Sequence, residues 1–83
     1  MSEIIIVLKD STTGREIEVE LPANVPIREL LPAIIQELDI EYADQRQLQN
    51  RTQHFDYLET DTLERRNTQA YDVCILKYET IQG

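Results

Sequence analysis

The chain has 83 residues, enough for one domain whose core is marginal but workable without covalent staples. Its formal net charge of -8 disfavours DNA and RNA, whose phosphates need a basic footprint, and suits either basic protein surfaces or plain solubility. The single cysteine, Cys74, excludes an internal disulfide and a multi-cysteine metal site. The apolar run in MSEIIIVLKD is too short for a signal peptide or a membrane span and has no basic flank. A soluble, cytoplasmic protein with no membrane partner is expected.

EIIIVLKD is apolar and rich in β-branched residues, which predicts a buried strand. DSTTG follows as a turn in which Gly14 can take a positive φ. REIEVEL alternates strictly, with Ile17, Val19 and Leu21 on one face and Glu16, Glu18 and Glu20 on the other. That is a half-buried strand, and the pair makes a hairpin. LPANVP breaks the strand, with Pro26 suited to a first helical turn and Asn24 the expected cap. Ile27, Leu30, Leu31, Ile34, Ile35 and Leu38 then form one wide apolar stripe, the mark of an amphipathic helix. Pro32 lies inside it and removes one backbone donor, so a kink near Arg28–Pro32 is expected.

After DIEYADQ the pattern weakens. RQLQNR reads as a short polar strand and HFDYL as another, TDTLERRNTQ as a turn with a short helical piece, and AYDVCILKYE as the final strand. The order β-β-α-β-(β)-β predicts a two-layer α+β domain: a mixed sheet of four to five strands packed on one helix.

That order resembles the ubiquitin-like β-grasp. EIEVELPANVPIRELLPAIIQEL is similar to the YukD-type ubiquitin-like family of bacteria, which includes the N-terminal domain of the EccD component of type VII secretion systems. The family shares an acidic second strand followed by LPxxVPxxxLLPxLL. YLETDTLERRNTQAYDVCIL resembles its later segment, where "TL" precedes a Gly-x-x-x-Gly-Asp turn and the last strand. Asn67 and Tyr71 stand where the family has glycines. Asn67 can adopt a left-handed conformation, Tyr71 only with strain, so the turn before the last strand is expected to differ. From Leu63 onward the chain also lines up with ubiquitin without a gap, and Gly83 falls on ubiquitin's terminal glycine. Gln82 is the departure, where ubiquitin and the sulfur carriers have a second glycine.

The resemblance implies a domain over residues 1–78 and a flexible tail over 79–83. It also implies a bacterial protein modifier conjugated through Gly83. An activating enzyme would adenylate the Gly83 carboxylate with ATP and pass it to a cysteine as a thioester, contacting Lys77, Tyr78, Glu79, Thr80, Ile81 and Gln82 on the way. The partners implied are ubiquitin-activating-like and conjugating-like enzymes, a JAB-type peptidase and target proteins. The nucleophile and any metal belong to them; the chain itself needs no cofactor and is not expected to be an enzyme. A side chain at the terminus would obstruct a narrow channel, and glycine has none. The alternative is a non-covalent adaptor like the type VII secretion proteins. A sulfur carrier comes third, since those end in Gly-Gly.

Other residues carry weaker signals. Alternation in DVCILKY puts Cys74 and Leu76 on the core face, which makes Cys74 a buried, inert thiol. His54 has polar neighbours and no second ligand beside it, so it reads as a loop residue and not a metal ligand. The Glu16, Glu18 and Glu20 row reads as a solvated sheet face. If Ile4, Ile6 and Leu8 face the helix, then Ile5, Val7, Val73 and Ile75 form one exposed apolar patch across the adjacent first and last strands. That patch is a candidate surface for a partner or for self-association, and a one-residue error in register would abolish it.

Overall fold

A computed structural model describes residues 2–11, 13–38 and 46–78. Strand β1 (Glu3–Asp10) pairs antiparallel with β2 (Glu16–Pro22), placing Ile6 opposite Val19 and Leu8 opposite Ile17. Gly14 takes φ 77° at the turn and donates its N–H to the Asp10 carbonyl at 2.8 Å, a conformation that side-chain-bearing residues resist. The last strand, β5 (Val73–Tyr78), lies parallel to β1 on its other side, with Leu8 beside Cys74. A parallel neighbour needs a crossover, and helix α1 (Ile27–Leu38) lies on it. β3 (Arg46–Asn50) and the two-residue β4 (Phe55–Asp56) complete a five-stranded sheet of order β2-β1-β5-β3-β4. The domain is the two-layer α+β architecture that the element order predicts.

The core lies between the sheet and α1. Ile6, Leu8, Leu48, Cys74 and Leu76 from the strands meet Ile27, Leu30, Ile34 and Ile35 from the helix, all buried. Ile17 and Val19 are only half-buried, because β2 is an edge strand. Leu31 is half-buried too, at the flank of the helical stripe. The Leu38 side chain lies outside the described residues. The helix runs unbroken through the exposed Pro32. Its apolar stripe holds it against the sheet and offsets the missing donor.

The helix start corrects one expectation. Asn24 is exposed, and the first two helical amides are taken by backbone: Ile27 N–H donates to the Asp61 carbonyl at 2.8 Å and Arg28 N–H to the Glu59 carbonyl at 3.0 Å. Pro26 precedes the first turn, and its carbonyl accepts from Leu30 N–H at 3.1 Å. A loop distant in sequence therefore does the work expected of a capping side chain.

The segment after Tyr57 contains a single capped helical turn. Thr62 Oγ1 accepts from Arg65 N–H at 3.0 Å, as an N-cap does. At the other end Thr68 N–H donates to the Leu63 carbonyl and Asn67 N–H to the Glu64 carbonyl, with Asn67 at φ 55°. That is a Schellman stop with asparagine in the left-handed position. Tyr71 takes φ 67°. Asn67 and Tyr71 thus both adopt the left-handed conformation despite their side chains, Tyr71 with the strain expected of it.

Candidate functional site

The face of the sheet turned away from α1 is built by strand alternation. Residues paired across strands share a face. Val7 pairs with Glu18 on one side and Val73 on the other, Ile5 pairs with Glu20, and Lys9 pairs with Glu16 and Ile75. Ile6, Leu8, Cys74 and Leu76 point inward, with no accessible surface, so the register read from the sequence is the one observed. Ile5, Val7 and Val73 are half-exposed on the outer face, and Glu16, Glu18 and Glu20 are exposed beside them.

Ile75 is a correction. It shares the outer face but is only 6% exposed. β5 is the central strand, and Ile75 sits in register between Lys9 on β1 and Gln49 on β3. A residue with a cross-strand neighbour on each side keeps less of its surface in water than one on an edge strand. The apolar patch is therefore Ile5, Val7 and Val73, without Ile75.

Tyr71 adjoins Ile5 through its backbone at the end of this strip, and sequence reasoning did not single it out as part of a surface. It is 56% exposed. Its N–H donates to the Ile5 carbonyl at 2.7 Å, and Val7 N–H donates to the Asp72 carbonyl at 2.9 Å, which fastens the turn to β1. Beneath it, one carboxylate oxygen of Asp72 accepts from Gln53 Nε2 at 2.7 Å, Asn50 Nδ2 at 3.0 Å and Gln69 N–H at 3.0 Å. Burial alone would raise the Asp72 pKa; the hydrogen bonds from Asn50, Gln69 and Gln53 outweigh it and hold the carboxyl below its usual value. Asn50 also donates to the Tyr57 hydroxyl at 3.1 Å, and that hydroxyl bonds to Thr68 Oγ1. Asn50, Tyr57, Thr68 and Asp72 are all buried. The sequence does hold a signal for this network: alternation in RQLQN puts Asn50 on the same face as Leu48, and a polar residue on a core face requires partners.

Cys74 lies against this network with no accessible surface. Burial pushes its thiol up to about 12; the Tyr57 hydroxyl pulls it down and the Asp72 charge raises it further. Burial likewise pushes Tyr57 up to about 12. At neutral pH the thiol is protonated and enclosed, hence unreactive. His54 is exposed in the turn between β3 and β4, at φ 62°. Among the described residues no group of three or more His, Cys, Asp or Glu could hold a metal ion, and no helix is long and apolar enough to cross a membrane.

Lys77 belongs to β5 and its Nζ lies 3.4 Å from Asp56 on the outer face. Tyr78 is the last residue of β5, in register with Arg46. Glu79, Thr80, Ile81, Gln82 and Gly83 lie outside the described residues. On the helix side a cleft of about 180 Å³ opens between α1 and the β3–β4 region, lined by Ile27, Leu31, Leu48, Tyr57 and Leu58.

The chain matches no protein-family model and no curated protein. Solved structures do resemble it. A de novo design based on ubiquitin has a TM-score of 0.78 at 18% identity, covering 96% of this chain and 93% of that one. Ubiquitin of Caldiarchaeum subterraneum has a TM-score of 0.74 at 18% identity, covering 99% of this chain and 100% of its own. At that identity the likeness speaks for the fold alone, and together with the helix, the five-stranded mixed sheet and its strand order it makes this chain a ubiquitin-like β-grasp.

Proposed function

We propose that this chain is a bacterial ubiquitin-like protein modifier of the cytoplasm, activated at Gly83. The observation that carries the reading is the ubiquitin-like fold, taken with a sequence that resembles ubiquitin's to the terminal glycine. From Leu63 onward the sequence lines up with that of ubiquitin without a gap, and Gly83 falls on ubiquitin's terminal glycine. Resemblance to the modifier-like branch of the YukD-type family supports it. In the reaction, the Gly83 carboxylate attacks the α-phosphorus of ATP, releasing pyrophosphate and forming an acyl adenylate. An enzyme thiolate then displaces AMP to give a thioester, and a target amine displaces the thiolate to form an amide. A JAB-type peptidase would cleave either that amide or a bond following Gly83. Gln82 adds side-chain width that a channel built for Gly-Gly would not admit.

The test is incubation of the intact protein and a variant lacking Gly83 with lysate of the source organism and ATP, followed by intact mass measurement. The intact protein should give ATP-dependent, thiol-sensitive adducts and the variant none. Activation of the variant, or no ATP-dependent adduct with the intact protein, removes the reading. The half-exposed strip of Ile5, Val7 and Val73 supports a second reading, a non-covalent adaptor of the type VII secretion kind. It predicts full function without Gly83.

A further inference from the structure

The outer sheet face has a definite chemistry. Ile5, Val7 and Val73 adjoin one another in register and are half-exposed. Tyr71 stands exposed beside Ile5, to whose carbonyl its amide is bonded. A tyrosine at φ 67° is strained where glycine would not be. Its ring is mostly in water, so burial returns little against that strain. An exposed aromatic kept at a strained position is suited to be a contact residue, since tyrosine dominates interface energetics. The strip has a charged border: Glu18 lies opposite Val7 and Glu20 opposite Ile5, both exposed. Glu16, next in the row, faces Lys9, whereas Glu18 and Glu20 face apolar residues across the pair. Among the described residues neither has an ion-pair partner.

We propose that this face docks a protein partner through Ile5, Val7, Tyr71 and Val73, and that the partner presents an apolar centre bordered by lysine or arginine to meet Glu18 and Glu20. A second copy of this chain is a poor occupant, because it would bring another net charge of -8 and another acidic row against the first. The inference goes beyond the reading of Gly83 and holds whether or not that glycine is activated.

The probe is a synthetic peptide alternating leucine with lysine, titrated into isotope-labelled protein and followed by amide NMR shifts. Its leucine–glutamate counterpart is the control. Shifts should concentrate at Ile5, Val7, Glu18, Glu20, Tyr71 and Val73, weaken with added salt, and be absent with the acidic peptide. The double variant Glu18→Gln/Glu20→Gln should lose roughly tenfold in affinity, and so should Tyr71→Gly. Glycine suits the backbone there, so Tyr71→Gly stays folded and separates contact from structure. Glu37→Gln, and Glu29→Gln/Glu37→Gln, which removes two charges from the exposed side of α1 as the face variant does from the sheet, should leave affinity unchanged. Shifts scattered over every acidic surface, equal binding of both peptides, or equal losses in Glu29→Gln/Glu37→Gln and the double variant of the face would overturn the proposal. So would concentration-dependent dimerisation whose shifts map to these same residues, since that assigns the face to a second copy.

Discussion

Replacing Asp72 tests the account of the turn that fastens Tyr71 to β1. In Asp72→Ala the oxygen that accepts from Gln53, Asn50 and Gln69 disappears. Hydrogen bonds to a charged acceptor contribute about 1.5–3 kcal/mol, and a buried donor left unpaired costs about 1–3 kcal/mol. The Gln53 side-chain amide is exposed and can turn to water, and the Gln69 backbone N–H belongs to an exposed residue, but Asn50 has no accessible surface. The net loss should therefore be about 3–5 kcal/mol, a large share of the roughly 4–12 kcal/mol expected for a domain of this length. Asp72→Asn keeps an oxygen in place without its charge and should lose about half as much. The pH dependence has a definite sign. The folded carboxyl sits below its unfolded value, so the stability it contributes is present above about pH 4 and is lost as pH falls through the folded pKa. Denaturant melts by circular dichroism at neutral pH, and again along an acid titration, measure both quantities. A loss under about 1 kcal/mol for Asp72→Ala, or an acid limb as steep in Asp72→Asn as in the parent, would refute the network as the clamp of this turn.

Ile75→Asp should destabilise more than Val73→Asp, because Ile75 is 6% exposed and Val73 half-exposed; it should remain milder than Leu76→Asp, because Lys9 lies opposite Ile75 and can pair with the new carboxylate. Urea midpoints rank the three. Ile34→Ala should cost about 2–5 kcal/mol, Leu31→Ala clearly less because Leu31 is half-buried, and Pro32→Ala should be neutral or stabilising because it restores an amide donor. Finding Pro32→Ala the most damaging would contradict the role of the buried stripe. Tyr71→Gly should stabilise by about 1 kcal/mol by relieving the left-handed tyrosine, read as a higher thermal midpoint; a lower midpoint would mean that the tyrosine ring supports the fold. Cys74 and Tyr57 are both raised to about 12 in the folded state, so the unfolded chain loses these protons first. Stability should fall as pH rises above about 8.5, and Cys74→Ala should flatten the first part of that decline.

The elements of this fold are legible in the sequence because their signals are local. The spacing of Ile27, Leu30, Ile34 and Ile35 specifies a helix, and the alternation of Ile17, Val19 and Leu21 against three glutamates specifies a half-buried strand. Alternation also set the inward face of Cys74 and Leu76, since a side-chain period of two leaves only two choices and the core selects one. Features that depend on residues far apart in the chain needed the tertiary structure. Ile75 reads as exposed by alternation, but its burial follows from lying in the central strand, with Lys9 and Gln49 on either side. Asn24 has the right chemistry for a cap, yet the helix amides bond to carbonyls of Asp61 and Glu59, more than thirty residues away. Tyr71 looks unfit for a left-handed turn by its own preference. The bonds from Tyr71 N–H to Ile5 and from Val7 N–H to Asp72 join it to the far end of the chain, and such pairings outweigh the strain of a single residue.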